Sequence, residues 1–399
     1  MTEVNPPSSG RVVIIGGGVA GLEALLALRA LAGDRVELTL VTQNDVFVDR
    51  PMTVAEPFGL GSAARRSLPE LAAESGAEFV QATVVAVDAD EHRVSLDAGP
   101  NLSYDTLILA PGAQPTAPLP DAITFGVEGS GEAMREMLTR LRRGDARSAA
   151  FVAPSMTGWL LPLYELALMT AHDLARNNVE GVHLSLVTSE TRPLAVFGED
   201  GSEIVARLLE EEGIEFIGAA GGTQEVMVGV SGESLAGDYL VTLPVLRGPG
   251  INGVPGTRDQ NFIPVDEYGR VEGLADVHAA GDAANFPVKQ GGLAAQQADS
   301  VAEYVAASYG ANIDPTPFRP SLRGMLFTGE DPLYMRSGVA GADPDTPDAW
   351  YPLWWPPTKV AGRYLAPYLF ERGDGEGIGG PPVGFIDVDI PLAAVTLPG

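Results

Sequence analysis

Three glycines near the start of the chain have the spacing that binds a dinucleotide. The run from Gly16 to Gly21 reads G-x-G-x-x-G and stands between the β-branched run RVVII and an Ala/Leu-rich stretch. Gly16 permits a tight turn, Gly18 lets a pyrophosphate approach the backbone, and Gly21 allows close packing of helix on strand. A helix that begins at Val19 and Ala20 offers free amides and a positive dipole end. The segment therefore predicts a dinucleotide site.

The acidic residue that usually binds the ribose of the dinucleotide is missing. It is expected at the end of the second strand, about 20 residues after the glycines, where this chain has Thr42 and Gln43. Either the hydroxyl of Thr42 binds the ribose or Asp45 reaches back to it.

Two later stretches add polar residues at strand ends. YDTLILAPGAQP ends in Ala110, Pro111 and Gly112, and VHAAGDAANFPVKQGG contains Gly281-Asp282 and Lys289-Gln290-Gly291. Asp282 follows a buried strand, where a carboxylate without a partner is costly. It therefore either accepts a ligand hydroxyl or caps the following helix.

The elements around these motifs indicate an α/β fold that uses one half-fold twice. Residues 36–41, VELTLV, return almost letter for letter as VHLSLV at 182–187, although two buried strands can also be similar by chance. We predict two Rossmann-like domains, the first split around the second, plus a small C-terminal segment. The predicted bounds are 10–118 and 258–315 for the first domain, 119–257 for the second, and 316–399 for the aromatic and Pro-rich segment.

With these motifs in place, the sequence resembles the flavoproteins of the pyridine nucleotide–disulfide oxidoreductase superfamily, which carry two dinucleotide-binding domains. It is most similar to the branch of the sulfide:quinone oxidoreductases and type II NADH dehydrogenases. The resemblance covers nearly the whole chain and implies that the first domain binds FAD. Pro111 departs from the Thr that is commoner in the family.

The resemblance also implies roles for individual residues. Ala110, Pro111 and Gly112 border the FAD, and Gly281 with Asp282 holds its ribityl and phosphate portion. The helix after Gln290 and Gly291 directs its amides at the flavin, which stabilises the reduced anion. Lys289 either assists it or is a solvated surface charge. The remaining predicted cofactor contacts are Arg50, Pro51 and Val84.

The second domain departs from the nucleotide-binding pattern. If Glu165-Leu166-Ala167 aligns with the family's Glu-Leu-Ala, the fingerprint positions are Gly158, Leu160 and Leu163, and aligning Ala153 or Ser155 instead is no better. A Leu at the second position blocks the pyrophosphate, and Pro162 is typical of a first helical turn. We expect weak or absent NAD(P) binding; the alternative is a rearranged site that uses Thr188, Ser189 and Glu190.

The chain has no cysteine. Disulfide relays, thiolate metal sites and attack by a cysteine thiolate are therefore excluded, including the cysteine chemistry of the sulfide:quinone oxidoreductases and disulfide reductases. The four histidines, His92, His172, His183 and His278, have no metal-ligand spacing, so we expect no metal site. His278 is expected in the core.

Charge and termini indicate compartment and partners. With 53 acidic and 25 basic residues, the formal net charge is −28, which opposes binding to nucleic acid or anionic lipid. The N-terminus lacks the basic and apolar regions of a secretory signal, and no stretch of about 18 apolar residues could span a bilayer. We expect a cytoplasmic protein.

Aromatic residues cluster near the C-terminus, in WYPLWWPPTKVAGRYLAPYLF. In the similar enzymes this region helps to form a quinone pocket and a membrane-facing surface, for which Lys359 and Arg363 would be suited. The alternative that we favour is a cap on the first domain or a homodimer contact.

Together these features predict an FAD-dependent oxidoreductase. It would take electrons from a small-molecule donor and pass them to a small-molecule acceptor such as a quinone, with no side chain yet assignable as acid or base. Two alternatives are an NAD(P)H:quinone or diaphorase-type dehydrogenase, and a flavin-binding protein without turnover.

Overall fold

The structure is a computed structural model that describes residues 9–153, 157–218, 237–336, 348–349 and 353–374. Seven described α-helices are numbered in chain order: α1 Val19–Ala32, α2 Leu68–Glu74, α3 Ser130–Arg143, α4 Leu161–Arg176, α5 Glu199–Glu211, α6 Gly291–Ser308 and α7 Leu365–Leu369. Short 3₁₀ turns cover Gly33–Arg35, Arg50–Phe58, Ala195–Phe197 and Gly281–Ala283.

The described strands are also numbered in chain order. They are β1 Gly10–Ile15, β2 Val36–Thr42, β3 Val46–Val48, β4 Arg65–Ser67, β5 Ala77–Gln81, β6 Val84–Asp88, β7 Arg93–Leu96, β8 Leu102–Ser103, β9 Thr106–Leu109, β10 Gln114–Thr116, β11 Ile123–Thr124, β12 Ser148–Val152, β13 His183–Val187, β14 Ile214–Ile217, β15 Tyr239–Thr242, β16 Val245–Arg247, β17 Val277–Ala279, β18 Arg323–Leu326, β19 Leu333–Arg336 and β20 Asp348–Ala349.

The first large sheet has five parallel strands in the order β17-β9-β1-β2-β5. Its central strands are continuous apolar runs, because helices or loops cover both faces of such a sheet. Val12, Ile14 and the β9 residues Leu107 and Ile108 are fully buried. The β17 strand comes from a part of the chain that follows the second sheet.

The second large sheet repeats this arrangement. Its parallel strands have the order β11-β15-β12-β13-β14, so β12 and β13 occupy the central positions that β1 and β2 have in the first sheet. The predicted fold class, two Rossmann-like units with the first interrupted by the second, is confirmed.

Helices α1 and α6 pack against each other and on the first sheet. Both are rich in Ala and Leu, which favour helix and allow close packing. Leu22, Leu25 and Leu28 of α1 share a core with Ala298 and Val301 of α6. Since both helices begin at the carboxyl edge of this sheet, their N-termini lie on the side of the predicted cofactor site.

Four small sheets complete the described part of the chain: β3-β4, β6-β7-β8, β10-β16 and β18-β19-β20. Residues 353–374 lie against α1 and α2. No helix among the described residues is long and apolar enough to cross a membrane.

Candidate functional site

Three of the predicted segments meet at the carboxyl edge of the first sheet, because each follows one of three neighbouring parallel strands. Gly16 follows β1, Ala110 follows β9, and Gly281 comes two residues after β17. A Cβ atom on Gly16, whose φ is +110°, would lie 2.1 Å from the carbonyl oxygen of Ala110 and 2.9 Å from Cα of Pro111. A Cβ on Gly281 would lie 2.8 Å from Cβ of Ala20.

The glycine loop leaves space for a ligand at one point only. A Cβ on Gly18 would have no heavy atom within 4 Å, whereas one on Gly21 would lie 1.8 Å from the carbonyl oxygen of Gly16. Gly18 is the N-cap of α1, and no side chain caps the helix there. The first amides of α1, at Val19 and Ala20, therefore face a gap that suits a pyrophosphate.

Asp282 lies in a short 3₁₀ turn beside this loop. No group in the described residues donates a hydrogen bond to its carboxylate. Burial raises its pKa, and the nearby charges of Lys289 and Arg50 oppose this increase. A partly buried acceptor without a donor fits a cofactor that brings hydroxyl groups, so the residues present suit the ribityl chain of FAD.

Lys289 is turned towards the protein and is not a solvated surface charge. Its Nζ donates to the carbonyl oxygens of Asp282 at 3.1 Å and Ala284 at 2.6 Å, and it lies 3.6 Å from the ring centroid of Phe262. Burial lowers its pKa to about 8, although Asp282 opposes the shift. The lysine thus holds the turn that carries Asp282.

The start of α6 joins the site to distant parts of the chain. The side chain of Gln290 caps the helix, since Oε1 accepts from the amide of Leu293 at 2.8 Å and Nε2 donates to the carbonyl oxygen of Arg323 at 3.1 Å. A Cβ on Gly291 would lie 2.9 Å from Val360 and 3.8 Å from Pro51. Pro51 and Gly291 are therefore neighbours.

The other predicted contacts lie around this centre. Thr42 is buried at the end of β2 and its hydroxyl accepts from the amide of Asn44 at 3.4 Å, while Gln43 is exposed. Val84 begins β6 and packs against the buried cluster that contains Ile15. Arg50 is exposed, and Gly112 has a positive φ of 77° at the end of the β9 loop.

The corresponding loop of the second sheet is built differently. Eight residues, 153–160, separate β12 from α4, whereas only residues 16–18 separate β1 from α1. The prediction that Pro162 occupies the first helical turn is confirmed. Ser155 lies outside the described residues. Gly158 sits against the first domain, since its Cβ would be 2.9 Å from the carbonyl oxygen of Pro287 and 3.3 Å from Cγ of Lys289.

Protein atoms cover the beginning of α4. A Cβ on Gly324 of β18 would lie 3.1 Å from Leu161 and 2.4 Å from the ring of Phe197. Leu161 and Leu163 are themselves buried. The helix end that would receive a second pyrophosphate is thus packed against β18 and the 195–197 turn.

Two of the residues considered for a rearranged nucleotide site, Thr188 and Glu190, are engaged internally. The hydroxyl of Tyr164 donates to Glu190 Oε2 at 2.5 Å and accepts from the amide of Leu194 at 3.3 Å. Burial raises the pKa of Glu190 to about 6, and the hydrogen bond from Tyr164 opposes the increase. Thr188 is fully buried.

The sequence reasoning missed a buried ion pair. Glu165 is fully buried on α4, and both of its carboxylate oxygens lie 2.5 Å from Lys359 Nζ. Its Oε1 also accepts from the amide of Phe327 at 2.9 Å. The signal was present, because Lys289 and Lys359 are the only lysines in the chain and both are turned inwards.

The C-terminal aromatic residues contact the first domain and each other. Trp354 is buried and its indole N–H donates to the carbonyl oxygen of Thr358 at 2.9 Å. The hydroxyl of Tyr368 donates to Glu74 of α2 at 2.7 Å. These contacts favour the cap interpretation; Trp350 lies outside the described residues.

The family follows from the comparison with known proteins. Residues 10–302 match the family model described as pyridine nucleotide-disulphide oxidoreductase, and the chain belongs to this family. It is an FAD-dependent oxidoreductase.

Individual relatives cover much of the chain. The NADH dehydrogenase-like protein Rv1812c of Mycobacterium tuberculosis is 31% identical over 297 residues, which are 69% of this chain and 72% of the relative. The sulfide-quinone reductase of Aquifex aeolicus is 28% identical over 214 residues, 50% of this chain and 47% of that protein. The crystal structure of the A. aeolicus sulfide:quinone oxidoreductase shares the fold, with a TM-score of 0.72, 20% identity, and coverage of 82% of this chain and 83% of that one.

Replacing Lys289 with Met should weaken FAD binding about tenfold at pH 7. The variant removes the positive charge beside Asp282 and the hydrogen bonds that hold the turn of Asp282. Because burial lowers the pKa of Lys289 to about 8, the dissociation constant of the unmodified protein should rise above that pH, while that of Lys289→Met should not rise. Fluorescence titration of the apoprotein with FAD from pH 6.5 to 9.5 measures both. Replacing the exposed Arg258 with Met removes the same charge elsewhere and is the control.

Proposed function

We propose that the protein passes electrons through non-covalently bound FAD to a quinone. In this proposal the donor reaches the flavin directly, and no NAD(P)H binds at the second sheet in the usual way. The observation that carries the proposal is the contrast between the two nucleotide loops, one open at Gly18 and the other covered at Leu161.

The N-termini of α1 and α4 differ in how easily a ligand could approach them. Neither α1 nor α4 has a capping side chain, but at α1 there is empty space beside Gly18, so a diphosphate can reach the amides. At α4 an equivalent approach would require moving Leu161, Phe197 and β18, which pack together. The Tyr164–Glu190 hydrogen bond would also have to break.

Flavin supplies the transfer of a hydride or of single electrons, so the protein must bind, orient and tune it. Asp282 would accept a ribityl hydroxyl, and the amides at the start of α1 would hold the pyrophosphate. Lys289 and the N-terminus of α6 would keep positive potential near the ring. Since the chain has no cysteine, the donor is not oxidised through a protein persulfide or disulfide.

Quinone is the proposed acceptor because relatives of this chain are named for it. Besides the sulfide-quinone reductase, the demethylphylloquinone reductase of Synechocystis is 36% identical over 138 residues, about a third of each chain. The similarity to an NADH dehydrogenase-like protein supports a second candidate, an NAD(P)H:quinone dehydrogenase with a rearranged nicotinamide site.

The absorption spectrum of the anaerobic holoprotein separates these candidates. We expect the oxidised flavin band to persist after NADH and then NADPH are added, to bleach with dithionite, and to return with a water-soluble quinone. Rapid bleaching by either nucleotide would contradict the proposed donor and establish the dehydrogenase. If neither quinone nor dye reoxidises the flavin faster than buffer, the protein binds flavin without turnover.

A further inference from the structure

Two carboxyl groups from different helices, α1 and α6, lie beneath the C-terminal segment. Glu23 of α1 is fully buried, and it is near enough to Asp299 of α6 for each carboxyl group to change the pKa of the other. Residues 362–365 of the C-terminal segment cover them.

Two backbone amides donate hydrogen bonds to the carboxylate of Glu23. Its carboxylate accepts the backbone N–H of Tyr364 at 2.7 Å and that of Leu365 at 2.8 Å. The backbone passes so near that a Cβ on Gly362 would lie 2.5 Å from Glu23 Oε2. Two amide donors stabilise the ionised form of this group.

Asp299 lacks such donors. Its Oδ1 is buried without a partner among the described residues. Burial and then the neighbouring Glu23 raise its pKa to about 9. Arg363 opposes this increase and Glu303 adds to it, while Arg363 and Glu303 are paired with each other at 2.8 Å. The remaining titratable group nearby is the phenol of Tyr364.

We propose that Asp299 carries a proton that it donates to Glu23, and that this carboxyl pair docks residues 353–374 onto the first domain. Two carboxylates in one buried site cannot both be ionised at low cost. A protonated Asp299 leaves Glu23 charged for the two backbone amides. The pair acts as positioning residues, because the docked segment places Val360 against Gly291 and Lys359 against Glu165.

The pair makes docking depend on pH. In the undocked state α1 and α6 remain packed together, but Asp299 loses the cover of residues 362–365, so its pKa is lower than the docked value of about 9. Docking therefore takes up a proton as the pH approaches that value, and because the pKa is raised in the docked state, docking is strongest at low pH. The docking constant therefore falls by up to tenfold per pH unit as the pH rises towards 9.

Hydrogen exchange measured by mass spectrometry on the full-length holoprotein tests this. After correction for the intrinsic rate, protection of residues 360–369 should fall by up to tenfold per pH unit between pH 6 and 9. The Asp299→Asn variant should show no such slope, because its amide donates to Glu23 without titrating. The Glu303→Gln variant removes a nearby carboxylate outside the pair and should keep the slope.

Constant protection of these residues in the unmodified protein between pH 6 and 9 would overturn the proposal, and this measurement does not depend on any variant. An equal slope in Asp299→Asn would also overturn it, since another group would then be titrating. This experiment does not depend on the identity of the electron donor, because it measures the exchange of backbone amides and not turnover.

Discussion

Replacing Lys359 with Met should lower the free energy of unfolding by about 3–5 kcal/mol. Glu165 has no exposed surface, and its two oxygens share only Lys359 Nζ and the amide of Phe327 as donors among the described residues. Burial raises the pKa of Glu165 and Lys359 opposes that increase. Without the lysine, a carboxylate remains buried with one donor, or takes up a proton, and either outcome costs stability.

Urea unfolding at pH 7 measures this loss, with two comparison variants. The double variant Lys359→Met/Glu165→Leu should recover most of it, because an apolar pair avoids the buried charge. Replacing Arg93 with Met removes an exposed partner, whose guanidinium lies 3.4 Å from Asp88, and should cost less than about 1 kcal/mol. A loss of similar size in Arg93→Met and Lys359→Met would show that the buried pair has no special role.

Local patterns were enough to predict the two large sheets. Their strands are short apolar runs flanked by turn residues, and the likeness of residues 36–41 to 182–187 reflects equivalent places in two sheets with the same strand order. Such signals depend only on neighbours in sequence. The glycine loop is predictable for the same reason, because backbone geometry restricts which residues suit Gly16 and Gly21.

Contacts between distant residues were not predictable in this way. Glu165 and Lys359 are 194 positions apart, and no periodicity links them. From the sequence alone, Lys289 could equally be an exposed surface charge. Its neighbours in sequence do not reveal that its Nζ donates hydrogen bonds to the carbonyl oxygens of Asp282 and Ala284. The cover over α4 likewise depends on β18, which lies about 160 residues further along the chain. These features arise from packing, which a single sequence does not display.

Replacing Gly18 with Val should reduce FAD affinity by about 100-fold or more, roughly 2.7 kcal/mol, and leave the stability of the apoprotein nearly unchanged. The backbone of Gly18 is extended, with φ of −90° and ψ of −170°, which a β-branched residue adopts readily. No heavy atom lies within 4 Å of the added Cβ. The new side chain therefore has room in the protein but occupies the space in which the pyrophosphate would approach.

The Gly21→Val variant is the matched comparison, because the same side chain is added one helical turn later. Its Cβ would lie 1.8 Å from the carbonyl oxygen of Gly16, so α1 must move away from β1 and the apoprotein itself should lose stability. Flavin content after purification, FAD titration and unfolding of the apoprotein are measured for both variants. If Gly18→Val retains normal FAD affinity, the pyrophosphate does not bind at this loop, and the open space beside Gly18 needs another explanation. If Gly18→Val and Gly21→Val are equally unstable, the loss of flavin in either variant reports folding and not the site.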